Sequence, residues 1–244
     1  MRTTDDFPFY NGLPVRLTTR QWCLVLAGTA LGFAALIVRA PGFRDRWGQF
    51  IPAALFVVIP LAALAIATPQ YWKALFHRIR VRDVGVMVLI ALLNLVISFA
   101  VGLLVMKLHG SEANPMFKAI ASQSAVDREL FFLKTIPQLL GEELITMLPM
   151  LALMTLFHSR MRTSRRTAIV LAWLLSALLF GALHLPTYGW NLVQCLVVIG
   201  SARLVLSLAY LWTRNLWVST GAHILNDWAL FGLSLLLTGL AVQP

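Results

Sequence analysis

Residues 141–150 read GEELITMLPM, which places two adjacent carboxylates, Glu142 and Glu143, inside a run of Leu, Met, Ile and Phe over 131–157. A hydrocarbon core about 30 Å thick is crossed by roughly 20 apolar residues of helix, and this run is long enough. The fold turns on whether such runs recur. Six more do, at 22–38, 50–68, 84–106, 167–185, 191–212 and 216–240. Of the 244 residues 59% are hydrophobic and 12% charged, where a soluble domain carries about a quarter charged residues. Mean hydropathy is +0.78. Backbone groups in lipid must be paired within their own segment, so the runs read as helices.

The expectation is an all-α, polytopic transmembrane helix bundle of about seven spans, forming a single membrane domain over 1–244. Pro52 and Pro60 are expected to bend the second span. The stretch 108–130, LHGSEANPMFKAIASQSAVDREL, is too polar to cross and is expected as an interfacial helix or a segment folded partly back into the bundle. Cys23 and Cys195 both fall in apolar runs and give no disulfide framework. No small-residue cleavage site follows the first span, which therefore reads as an uncleaved anchor.

Net charge is +10, but the basic residues sit in short connections, facing headgroups, and do not form a nucleic-acid patch. With the N-terminus inside, the cytoplasmic pieces hold Arg2, Arg16, Arg20, Lys73, Arg78, Arg80, Arg82, Arg160, Arg162, Arg165, Arg166 and Arg214. The other side holds Arg39, Arg44, Arg46, Lys107, Lys118 and Arg128. This two-to-one bias predicts a cytoplasmic N-terminus.

The carboxylates of the opening stretch are expensive where they stand, about 3 kcal/mol each at the bilayer centre. Asp227, His184, His223 and Arg203 also lie in apolar runs. Singly, each has a structural reading as an ion-pair partner or a hydrogen-bonded packing residue. Jointly they form a pattern. Phe180 and His184 in FGALH, and His223 and Asp227 in HILND, are each spaced i to i+4 and share a helix face. Carboxylate, imidazole, imidazole and a further polar group from three helices can supply a general base, a water-orienting group and oxyanion donors.

The order of EExxx, FxxxH and HxxxN/D on successive hydrophobic helices resembles the CPBP family of intramembrane proteases. That family includes the CaaX prenyl endopeptidases and Abi-like bacteriocin-processing or bacteriocin-immunity proteins. The resemblance covers about 131–230. It implies an endopeptidase that hydrolyses a peptide bond of a membrane-associated or prenylated peptide. In that scheme Glu142 activates water together with His184, while His223 and Asp227 form the oxyanion site. Glu143 belongs to the same set, with Phe180, Arg203 and Asn226 in support. It also implies a bacterial inner-membrane location. Zinc is disfavoured, since no HExxH pair is present, and no other cofactor is expected. The expected partners are the peptide substrate and membrane lipid, with no nucleic acid; oligomeric state is left open.

Two departures from the family pattern stand out. Where its first motif has Arg, this chain has Met147, so Arg203 is expected to pair with Glu143 instead. Asp227 stands where Asn is commoner, and an ionised Asp cannot donate to an oxyanion, which keeps the neighbouring Asn226 as a fallback. Pro137 and Pro149, flanking the Glu pair, are expected to permit a helix break, and the turn holding Pro186, Tyr188, Gly189 and Trp190 reads as an interfacial aromatic belt. The alternatives are a non-catalytic immunity or scaffold protein of the same fold and, more remotely, a proton relay.

Overall fold

The structure, a computed structural model, describes residues 6–38, 40–43 and 45–241, the side chains of 238–241 excepted. Arg2, Arg39 and Arg44, used in the charge count, lie outside the described residues. The described chain is helical. The long helices are α1 (Thr19–Ile37), α2 (Phe50–Ala67), α3 (Val81–His109), α5 (Ala125–Met154), α6 (Arg165–Leu183), α7 (Gly200–Thr213) and α8 (Leu216–Ala241), with a short α4 (Pro115–Ala121) between α3 and α5. A π-helical turn, Thr155–Arg160, continues α5, and another, Gln194–Ile199, leads into α7.

Six helices, counting those π turns, are long and apolar enough to cross a membrane. The seventh, α8, has 26 residues, about 39 Å at 1.5 Å per residue. The protein is an integral membrane helix bundle. Local chemistry marks where helices begin. Thr18 caps α1 in a capping box with Gln21, Ser124 accepts from the Asp127 N–H at the start of α5, and Ser164 accepts from the Thr167 N–H at the start of α6.

The polar stretch 108–130 holds a short helix of its own: α3 runs on to His109, α4 takes seven residues, and α5 begins at Ala125. Asn114 ends the preceding loop by capping Met116, with Pro115 at the first helical position. Contrary to expectation, α5 does not break at its prolines; it runs unbroken through Pro137 and Pro149. Its buried surroundings hold it, since 72% of its apolar window is buried, against 22–44% for the other five spans. α5 is the central helix. Pro60 likewise lies within a continuous α2.

Cross-links show which connections share an end of the bundle. At one end Asp6 pairs with Arg165, the Gln21 amide donates to the Ala67 carbonyl, and Asn215 exchanges two hydrogen bonds with the His77 backbone. At the other, Arg46 pairs with Asp127, Gln194 brackets the Glu112 backbone, and the Asn114 amide donates to the Tyr188 hydroxyl. These groupings match the two sides of the charge count.

Candidate active site

Glu143 is the hidden member of the carboxylate pair. Its Oε1 lies 2.7 Å from Arg203 Nη2 on α7, and neither side chain is exposed. The same oxygen is 2.9 Å from His223 Nδ1 on α8. Arg203 also stands over the Phe180 ring at 5.1 Å, so α5, α6, α7 and α8 meet around one buried charge pair. Position 147, where the family's Arg is missing, holds a fully buried Met.

With Nδ1 directed at Glu143, the His223 Nε2 faces two more carboxylates, Glu142 Oε2 at 3.8 Å and Asp227 Oδ1 at 3.7 Å. Glu142 and Asp227 keep 16% and 25% of their side chains exposed, while His223 keeps 6%. Two partly exposed carboxylates thus flank one imidazole, and Glu143 and Arg203 lie behind them.

The i, i+4 spacing of HILND does what helix geometry requires, holding both side chains on one face of α8. At the α7–α8 turn Arg214 adopts a left-handed conformation, and Asn215 and Leu216 are buried.

His184 is placed differently. It caps the C-terminus of α6, its Nδ1 is 2.9 Å from the Phe180 carbonyl, and its ring lies 4.7 Å from that of Phe180. Phe180 in turn has its ring centroid 6.5 Å from His223. Glu142 and His223 thus lie side by side, and the Phe180 ring lies against both histidines. Gly181 makes that arrangement fit, because a Cβ there would come within 2.5 Å of the Cys195 carbonyl. Gly141 does the same for α5, where a Cβ would run into the Phe56 ring.

Three participants were not singled out from sequence. Gln138 donates to Glu142 Oε1 at 3.2 Å, one turn earlier on α5. Asn94 on α3 donates to Asn226 Oδ1 at 2.9 Å, and Asn226 donates to Asp227 Oδ1 at 2.9 Å. Asn94 is 1% exposed; a lone amide in the apolar run IALLNLVIS was the available signal. Asn226, the fallback for the oxyanion, is thus engaged with Asp227. Tyr188 is the third: it is buried, unlike exposed Trp190 beside it. Burial, with a contribution from the Asp227 and Glu142 charges, pushes its phenol up to about 12. It remains a neutral hydroxyl at neutral pH, and the turn is more than an aromatic belt.

Residues 129–229 match the family model described as type II CAAX prenyl endopeptidase Rce1-like. This segment, under half of the chain, is similar to that family's domain. No curated protein and no solved structure matches the chain. The matched segment holds the Glu pair, both histidines, Arg203, Asn226 and Asp227, while Asn94 reaches them from outside it. Among the described residues no group of three or more His, Cys, Asp or Glu side chains could hold a metal ion.

Proposed function

We propose that the protein is an intramembrane endopeptidase that hydrolyses a peptide bond of a membrane-associated or prenylated peptide, using water activated by Glu142. The observation carrying this reading is the unequal pair: Glu142 is partly exposed beside His223, while Glu143 is fully buried against Arg203. A base must reach its water; a positioning group need not.

In this reading Glu142 takes a proton from water, and the hydroxide attacks the scissile carbonyl. The tetrahedral oxyanion is met by the proton that His223 holds on Nε2, which Glu143 orients by accepting from Nδ1. The proton on Glu142 then passes to the leaving amine. His184, its Nδ1 engaged with the Phe180 carbonyl, presents Nε2 to the attacking water. Asp227 holds the His223 charge in place and is itself oriented by Asn226 and Asn94. The reaction assigned here uses no zinc. A bacterial inner membrane with the N-terminus in the cytoplasm is the proposed setting.

The test compares wild type with Glu142→Gln on a prenylated and an unprenylated short hydrophobic peptide, with and without a chelator. Cleavage abolished by Glu142→Gln and indifferent to the chelator supports the reading. Cleavage that survives the substitution refutes the assignment of the base, and chelator inhibition refutes the metal-free chemistry. Failure of wild type to cut any such peptide while still binding one favours the non-catalytic scaffold reading, which the absence of Arg at position 147 motivates.

A further inference from the structure

Away from the acidic centre, a cavity of about 580 Å³ opens between the start of α1 and the far end of α5. Its volume is in the range of about 300–1,000 Å³ typical of small-molecule sites. Its walls divide by chemistry. One end carries Arg16, Thr18, Thr19, Ser159 and Arg160, and the other Cys23, Leu26, Pro149, Leu153 and Leu156. Among the described residues no acidic side chain lines it. Arg160 is held toward α1 by donating to the Thr19 hydroxyl, and Arg16 is exposed with no ion pair among the described residues.

Trp22 supplies an independent observation. It lines this cavity, is 5% exposed, and its indole N–H has no acceptor among the described residues. A buried donor left unpaired is costly, on the order of 1–3 kcal/mol. An oxygen-rich group in the cavity would accept from it. The α1 N-terminus adds a further electropositive element at the same end.

We propose that this cavity is a binding site for one anionic glycerophospholipid of the surrounding bilayer. The phosphate sits between Arg16 and Arg160, an ester or headgroup oxygen accepts from Trp22, and an acyl chain lies along Leu26, Pro149 and Leu153. Charge complementarity decides for this occupant. Two cations with no described carboxylate lining the same cavity, at the end of the bundle where the basic connections cluster, fit an anionic headgroup, and the graded lining fits its attached chain. The lipid bridges α1 to the end of the central helix, and so braces the N-terminal half against the helix that carries the Glu pair.

The experiment is native mass spectrometry of the detergent-purified protein with phosphatidylglycerol, phosphatidylcholine or inorganic phosphate. Wild type is expected to retain one phosphatidylglycerol in preference to phosphatidylcholine, and to bind phosphate alone negligibly. Arg16→Gln with Arg160→Gln should weaken retention about thirtyfold, as expected for two cations beside an anionic lipid. Leu153→Trp, which fills the apolar wall but leaves both cations, should weaken it too. Equal retention of both lipids, unchanged retention in both variants, or tight binding of phosphate alone would overturn the proposal. Melting temperature provides a second reading. It should rise with phosphatidylglycerol in wild type and stay flat in the arginine variant, provided the variant elutes as a folded monodisperse species.

Discussion

Arg203 and Glu143 lie 2.7 Å apart on different helices with neither side chain exposed. The pair neutralises a carboxylate that also holds His223, so it links the stability of the bundle to the orientation of the imidazole. Removing one partner strands the other. Arg203→Met or Glu143→Leu alone should each destabilise by about 3–5 kcal/mol, and the double variant by much less than their sum. Cleavage should not return in the double variant, because His223 has lost its anchor. Thermal unfolding and peptide cleavage measured on the same four proteins separate the two effects; strictly additive stabilities would exclude the coupling.

Glu142 is bound more lightly, by one hydrogen bond from Gln138 and the approach of His223. Glu142→Gln should leave the unfolding temperature nearly unchanged and lower kcat by about 10²-fold or more. A variant that unfolds rather than failing in turnover would move Glu142 to a structural role.

Asn94 acts from the second layer through Asn226 to Asp227. Asn94→Leu should cost about 1–3 kcal/mol by leaving the Asn226 carbonyl oxygen unpaired. It should also reduce kcat more than KM, since no substrate contact is lost. Asn94→Asp removes the donor but keeps the shape, and its kcat should likewise fall. A change confined to KM would place Asn94 in substrate binding instead.

Gly181 lies where α6 approaches the π-helical turn before α7. Gly181→Ala pushes a methyl group against the Cys195 carbonyl, which belongs to the backbone and cannot turn away. The expected cost is about 1–3 kcal/mol, with a loss of activity as His184 moves with its helix end. Ala182→Gly, one residue along, serves as a control that should leave turnover largely intact.

Asp6 fastens the N-terminal segment to α6. Burial opposes its ionisation, but hydrogen bonds from Arg165, Tyr10 and the Phe7 N–H outweigh it and hold the carboxyl below the usual aspartate range. A carboxyl depressed in the folded state contributes stability above its unfolded pKa of about 3.9 and loses it as pH falls through the folded value. Acid unfolding should therefore steepen below about pH 4 in wild type and flatten in Asp6→Asn. Superimposable acid profiles would show that this contact contributes nothing to the titration.

The shared face of His223 and Asp227 was legible in the sequence because i, i+4 spacing is a property of one helix. Arg203 was also legible, as a cation with no other partner in an apolar run. His184 was legible as a histidine at the end of a span, but not as one turned toward the carbonyl of Phe180. Asn94 and Gln138 escaped notice because uncharged amides stand out little against an apolar background. Their importance comes from what faces them.

Amino-acid order by itself determined that this chain crosses a membrane in long helices, where those helices run, and which few residues are too polar for that setting. These follow from transfer energy and 3.6-residue periodicity, both local quantities. Tertiary structure alone decided which carboxylate is exposed and which is paired, how Asn94 enters the network, and where a cavity opens beside Trp22. Each of these depends on helix rotation, tilt and depth, and those are set by packing between segments distant in sequence.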